Sequence, residues 1–159
     1  MNEFSERQAE LAATPVEIPP DGGEIDPHLD DHLWLRVLKL VPGIAPDEVG
    51  RLQIDVQAYF LTRLFEWETG SGGPLAFFDN SGDLAGLVAA PYRHLGLDRA
   101  AEVYETLLAS DGAQRVMDDR SYMPSDSDLA VAGVLVDEIG DHDADRLVFV
   151  LSRPAVFSI

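Results

Sequence analysis

The chain has 159 residues, enough for one domain with a sizeable hydrophobic core, and 46% of them are apolar, which excludes wholesale disorder. Twenty-nine acids against eleven bases give a net charge of -18, a balance that disfavours direct binding to nucleic acid or anionic membranes and favours a basic partner. Cysteine is absent, so disulfides, thiolate zinc sites and cysteine nucleophiles are excluded together.

The first residues, Met1-Asn2-Glu3-Phe4, carry neither a basic nor an apolar targeting stretch, and no apolar run approaches the length of a membrane span. A cytoplasmic location is the expectation. Residues 1–27 read as a flexible N-terminal arm, because Pro15, Pro19, Pro20, Gly22, Gly23 and Pro27 interrupt any period. A short helix over 3–12 is compatible with the arm, and Asp21-Gly22-Gly23 reads as a turn. A helical domain is expected over 28–159.

Leu29, Leu33, Leu35, Leu38 and Leu40 predict a helix after Pro27, ended by Val41-Pro42-Gly43. Pro46-Asp47-Glu48 then opens the strongest helical pattern, with proline and acids where the helix dipole favours them. Val49, Leu52, Val56, Phe60, Leu64 and Trp67 form one apolar stripe; Ile54, Ala58, Leu61 and Phe65 form a second. A helix apolar over most of its circumference belongs inside a bundle, so 46–68 is the expected central helix. Gly70-Ser71-Gly72-Gly73 stops it, and Asp79-Asn80-Ser81-Gly82-Asp83 reads as a turn.

Leu84, Leu87, Val88, Pro91 and Leu95 make the next helical stripe, and Asp98 caps a helix bearing Ala101, Tyr104, Leu107 and Leu108. Ser125-Asp126-Ser127-Asp128 has capping-box spacing, followed by Leu129, Ala132, Val136 and Ile139 at a helical step. The β-branched content of Val131–Val136 and of Leu147–Leu151 admits strands as well; helix is the preferred reading. The expected fold class is therefore all-α, an irregular single-domain bundle around 46–68.

The chemistry-bearing clusters are weak as sites. His28 and His32 stand at i and i+4 near Asp30 and Asp31, but Leu29 occupies the place of a zincin glutamate and a third ligand is lacking. Gly70-Ser71-Gly72-Gly73 matches neither a phosphate loop nor a nucleophile elbow. Asp118, Asp119, Asp126 and Asp128 form one acidic group, and Asp137, Glu138, Asp141, Asp143 and Asp145 another; neither has calcium-loop spacing. No catalytic residue, metal or cofactor is assigned, and these nine acids are the candidate partner-binding surface. Genome composition or adaptation to high salt produces a similar charge profile without any partner.

The segment from Phe65 to Asp83 carries a resemblance. Glu66 or Glu68, then Gly72-Gly73, Phe77-Phe78, Asn80-Ser81-Gly82, Leu95-Gly96-Leu97 and the stretch 99–109 are similar to the pattern of the DNA-mimic-protein-nineteen-like family of bacterial helical domains. The likeness is good over about 46–110 and looser elsewhere; Ser71 and Pro74 stand where members have asparagine and an aromatic. The residues Gly72, Gly73, Phe77, Phe78 and Asn80 are read as a structural motif. The resemblance implies an all-helical, non-enzymatic protein, a founding member that presents carboxylates in place of DNA phosphates to a transcription factor, and a homodimer as an available state. The expected function is that of an acidic binding protein acting as a DNA mimic on a basic, DNA-binding partner. The alternatives are an immunity or antitoxin-like protein with a basic toxin as target, and a hydrolase or metal-dependent enzyme using His28, His32 and nearby acids.

Overall fold

A computed structural model describes residues 3–20 and 23–159, and among them every regular element is helical. In chain order these are α1 (Glu3–Ala13), α2 (Leu29–Leu40), α3 (Pro46–Val49), α4 (Ile54–Gly72), α5 (Ala76–Ser81), a 3-10 turn (Gly82–Leu87), α6 (Ala89–His94), α7 (Asp98–Leu108), α8 (Asp111–Asp118), α9 (Asp126–Ile139), α10 (Asp143–Leu151) and α11 (Pro154–Phe157). The segments whose β-branched residues admitted strands are thus helices α9 and α10. The turn expected at Asp21-Gly22-Gly23 lies partly on residues 21 and 22, outside the described residues. No described helix is long and apolar enough to cross a membrane.

The chain divides into two compact units: residues up to Phe60 together with Ala144–Ile159, and Leu61–Asp143. α4 contributes residues to both.

The first unit is organised around buried Leu33, Val37, Val49, Tyr59, Phe60 and Phe157. Trp34 stacks on Phe60 at 5.2 Å, and Tyr59 meets Phe157 edge-on. The Tyr59 hydroxyl donates to the Asp30 carboxylate at 2.8 Å, which satisfies a polar tip inside an apolar setting. The segment expected as an arm carries α1 against α2 and buries Val16 and Ile18, and the Val16 amide donates to the Ile159 carbonyl at 2.8 Å.

The expected helix 46–68 is interrupted. α3 ends at Gly50, and the Gln53 side-chain oxygen accepts from the amides of Asp55 (2.6 Å) and Val56 (3.4 Å), so it caps a fresh start for α4. Apolar spacing runs through the break unchanged, which is why periodicity predicts one continuous helix. α4 also continues to Gly72 rather than stopping at Gly70. Trp67, placed in the core stripe by spacing, is 59% exposed, whereas the polar Thr62 is fully buried.

The second unit has an aromatic centre. Phe65 packs edge-on against Phe77, Tyr92 and Tyr104, and Phe78 stacks on Tyr104. All five rings are buried, and such pairs stabilise beyond their buried area. The Tyr104 hydroxyl donates to the Ala85 carbonyl at 2.7 Å, and burial pushes its pKa far up. α9 packs on α7 and α8 through Ala132 and its neighbours.

Candidate interaction surface

Of the nine anticipated acids, Asp128 is half-buried and the other eight are exposed. The structure separates those with local structural work from those presented to solvent. Asp119 follows α8, and its Oδ1 accepts from the Ser121 hydroxyl (2.7 Å) and amide (2.9 Å), bonds that hold its pKa below the usual range. Asp128 accepts from the Tyr122 hydroxyl at 2.5 Å and from the Ser125 amide at 3.0 Å, which likewise lower its pKa, the tyrosine bond most. Ser125 reciprocates by accepting from the Asp128 amide, completing the capping box expected at the start of α9. Asp119 thus orders the turn after α8, and Asp128 the entry to α9.

Asp126, Asp137 and Glu138 are exposed on α9, away from the side that buries Ala132 and Ile139. Glu138 pairs with Arg99 of α7. Asp118 ends α8 and is exposed.

Asp141 and Asp143 meet a third carboxylate that the sequence did not single out as a site residue. Oxygens of Glu66, Asp141 and Asp143 all lie within 4.8 Å of one another. Glu66 is held in place by the Tyr92 hydroxyl (2.8 Å) on one oxygen and the His142 amide (3.1 Å) on the other. The His142 ring packs edge-on to Tyr92 and bonds the Ile139 carbonyl through Nε2 at 2.7 Å, so this histidine is structural. Three oxygen ligands suit a hard cation such as calcium or magnesium, but exposed acids at this spacing are common without an ion. The same corner is a dense patch of negative charge. Glu66 comes from mid-α4, Asp141 from the turn before α10 and Asp143 from the first position of α10, a distance of 75 residues or more that spacing rules do not bridge. Asp145 belongs to the other unit.

The glycine-aromatic segment forms the end of α4 and its exit. Gly73 adopts φ +98°, a left-handed conformation, and a Cβ on Gly72 would stand 2.7 Å from that of Ala76. Phe77 and Phe78 are buried in the aromatic centre. The expected turn 79–83 is instead the end of α5 running into the 3-10 turn, with Asn80 exposed within α5. Glu68, one of the two glutamates matched to the family pattern, is buried; Ser81 donates to its Oε1 at 3.0 Å, and Oε2 has no hydrogen-bond partner among the described residues. Burial raises its pKa, only partly offset by the serine bond.

The histidine pair does not converge. His28 is exposed and precedes α2, whereas His32 is buried, with Nε2 2.8 Å from the Thr14 carbonyl and Nδ1 3.8 Å from Asp26. The solvated first turn read for both residues therefore holds for His28 alone. His28 and Asp31 do line a groove of about 370 Å³ with Phe4, Arg7, Gln8, Leu11, Trp34 and Leu35. His32 is turned away into its own bonds.

Helices around an aromatic centre, with carboxylates displayed outside, define an all-helical acidic domain. The family described as DMP19-like protein matches residues 50–147, and the chain belongs to that family. The match reaches beyond the 46–110 resemblance to take in α8 and α9. Comparison with curated proteins and with solved structures gives no match.

Proposed function

We propose that the protein is a non-enzymatic binding protein that occupies the DNA-binding surface of a basic protein, such as a transcription factor, by presenting carboxylates in place of phosphates. The observation that carries the reading is the exposed carboxylate series Asp118, Asp126, Asp137, Asp141 and Asp143 within a single unit of a family member whose net charge is -18. B-DNA carries one charge per about 1.7 Å of axis, so a mimic needs carboxylates crowded on folded scaffolding, as at the Glu66 corner. Asp128, which closes the capping box of α9, is half-buried, whereas Asp118, Asp126, Asp137, Asp141 and Asp143 are exposed.

The test is association kinetics with the basic protein recovered from the native host at low salt. Converting Asp118, Asp126 and Asp137 together to asparagine slows association by about tenfold while leaving the thermal midpoint nearly unchanged, because exposed charges act chiefly on encounter rate. An unchanged association rate contradicts the proposal.

A further inference from the structure

A cavity of about 100 Å³ lies where the end of α5 and the 3-10 turn meet α8, inside the second unit. Phe78 and Val116 on its lining are buried and Met117 is half-buried, so part of its wall is apolar. A Cβ on Gly82 would stand 3.0 Å from Cγ of Met117, and glycine lets the turn approach α8 this closely. Asp79 and Asp83, both exposed and four positions apart, line the same cavity. Neither has an ion-pair or side-chain hydrogen-bond partner among the described residues, and the same holds for Arg120, the base that also lines it.

Volume and charge together decide the occupant. The cavity has room for several waters' worth of atoms but is well below the roughly 300 Å³ at which small-molecule sites begin, so it suits the head of one side chain. Two aspartates against one arginine leave its lining net negative, which selects a cation. A hard metal ion is poorly served by an apolar wall and a neighbouring arginine. A guanidinium fits better than an ammonium: it is planar and weakly hydrated, so it tolerates the apolar wall, and its fork of donors reaches two carboxylates at once. We infer that the cavity receives an arginine side chain of the basic partner, its stem against Phe78 and Met117 and its guanidinium on Asp79 and Asp83, while Arg120 turns out to water. The inference rests on the basic-partner reading above and adds an anchor to it. Exposed acids elsewhere act on encounter, whereas an enclosed arginine acts on how slowly the complex separates.

The probe is N-acetyl-arginine methylamide, compared with its lysine counterpart and with calcium chloride at constant ionic strength, and followed by backbone amide NMR. The arginine probe is expected to shift the amides of Asp83, Met117 and Arg120 saturably, at least about threefold more tightly than the lysine probe. Asp79→Asn with Asp83→Asn abolishes the saturable response, and amide shifts elsewhere that match wild type show that the fold is intact. Glu3→Gln with Glu6→Gln, the same loss of charge on α1, leaves the response in place. Equal binding of the arginine and lysine probes, saturation of the same amides by calcium, or a response that survives Asp79→Asn with Asp83→Asn overturns the inference. With the basic protein captured from the native host, the same double substitution is expected to raise the dissociation rate by at least about tenfold. If dissociation is unchanged while the triple substitution at Asp118, Asp126 and Asp137 slows association, the anchor falls and the basic-partner reading stands. If neither set of substitutions changes the kinetics, both fall.

Discussion

Phe78 and Trp67 are both large aromatics in the same half of the chain, and their burial differs completely: 1% against 59% exposed. Phe78→Ala is expected to cost about 3–5 kcal/mol, through lost transfer energy and the cavity left between Phe77 and Tyr104. Trp67→Ala is expected to cost less than about 1 kcal/mol, as surface changes do. Denaturant unfolding of the two variants checks the contrast, and equal losses contradict the assigned core. Glu68 gives a prediction of opposite sign to most carboxylates. Its folded pKa lies above its unfolded value because burial penalises the charge. Its contribution to stability is then full below the unfolded value and is lost as pH rises through the folded one. Glu68→Gln is expected to gain in thermal midpoint relative to wild type as pH rises from the acid range to neutrality; a gap that is constant with pH rules this out. For the Glu66, Asp141 and Asp143 corner, the expectation is that it acts as charge and not as an ion site. Elemental analysis of protein purified without added metal is expected to find no stoichiometric metal, and a stoichiometric ion reverses that assignment.

At the scale of elements, α9 joins stability to presentation. Ser125→Ala removes the hydroxyl that accepts from the Asp128 amide and is expected to cost about 1 kcal/mol, read by thermal unfolding. No measurable loss would show that the capping box does not hold the helix entry. The box was legible in the sequence because its two residues are three positions apart and act locally. The helical nature of α7 was legible for the same reason, as was the glycine-aromatic exit of α4; that of α9 was only the preferred reading, because its β-branched run also fits a strand. The break between α3 and α4 was not legible, because Gln53 caps the new helix with its side chain while Val49, Leu52 and Val56 keep their spacing. Trp67 was misplaced because a stripe at steps of three and four drifts around the helix, and which edge of it is covered depends on the neighbours. The Glu66 corner was hidden by sequence distance alone.

For the whole molecule, the question is whether the surface charge is used. Composition made the charge plain and the family match makes the chain a DMP19-like protein, but composition could not order the acids into those that build α9 and those that face outward. A functional acidic surface predicts a complex that weakens as salt rises, since screening limits exposed charges to about 8 Å at physiological ionic strength. Salt dependence is shared by any acidic binder, including one directed at a basic toxin. Competition is more specific. The most direct measurement takes the basic protein captured from the native host, binds it to labelled duplex DNA, and titrates in this protein. The account predicts that DNA is displaced in full and that excess DNA reverses the displacement. A ternary complex, with DNA and this protein bound at once, contradicts it.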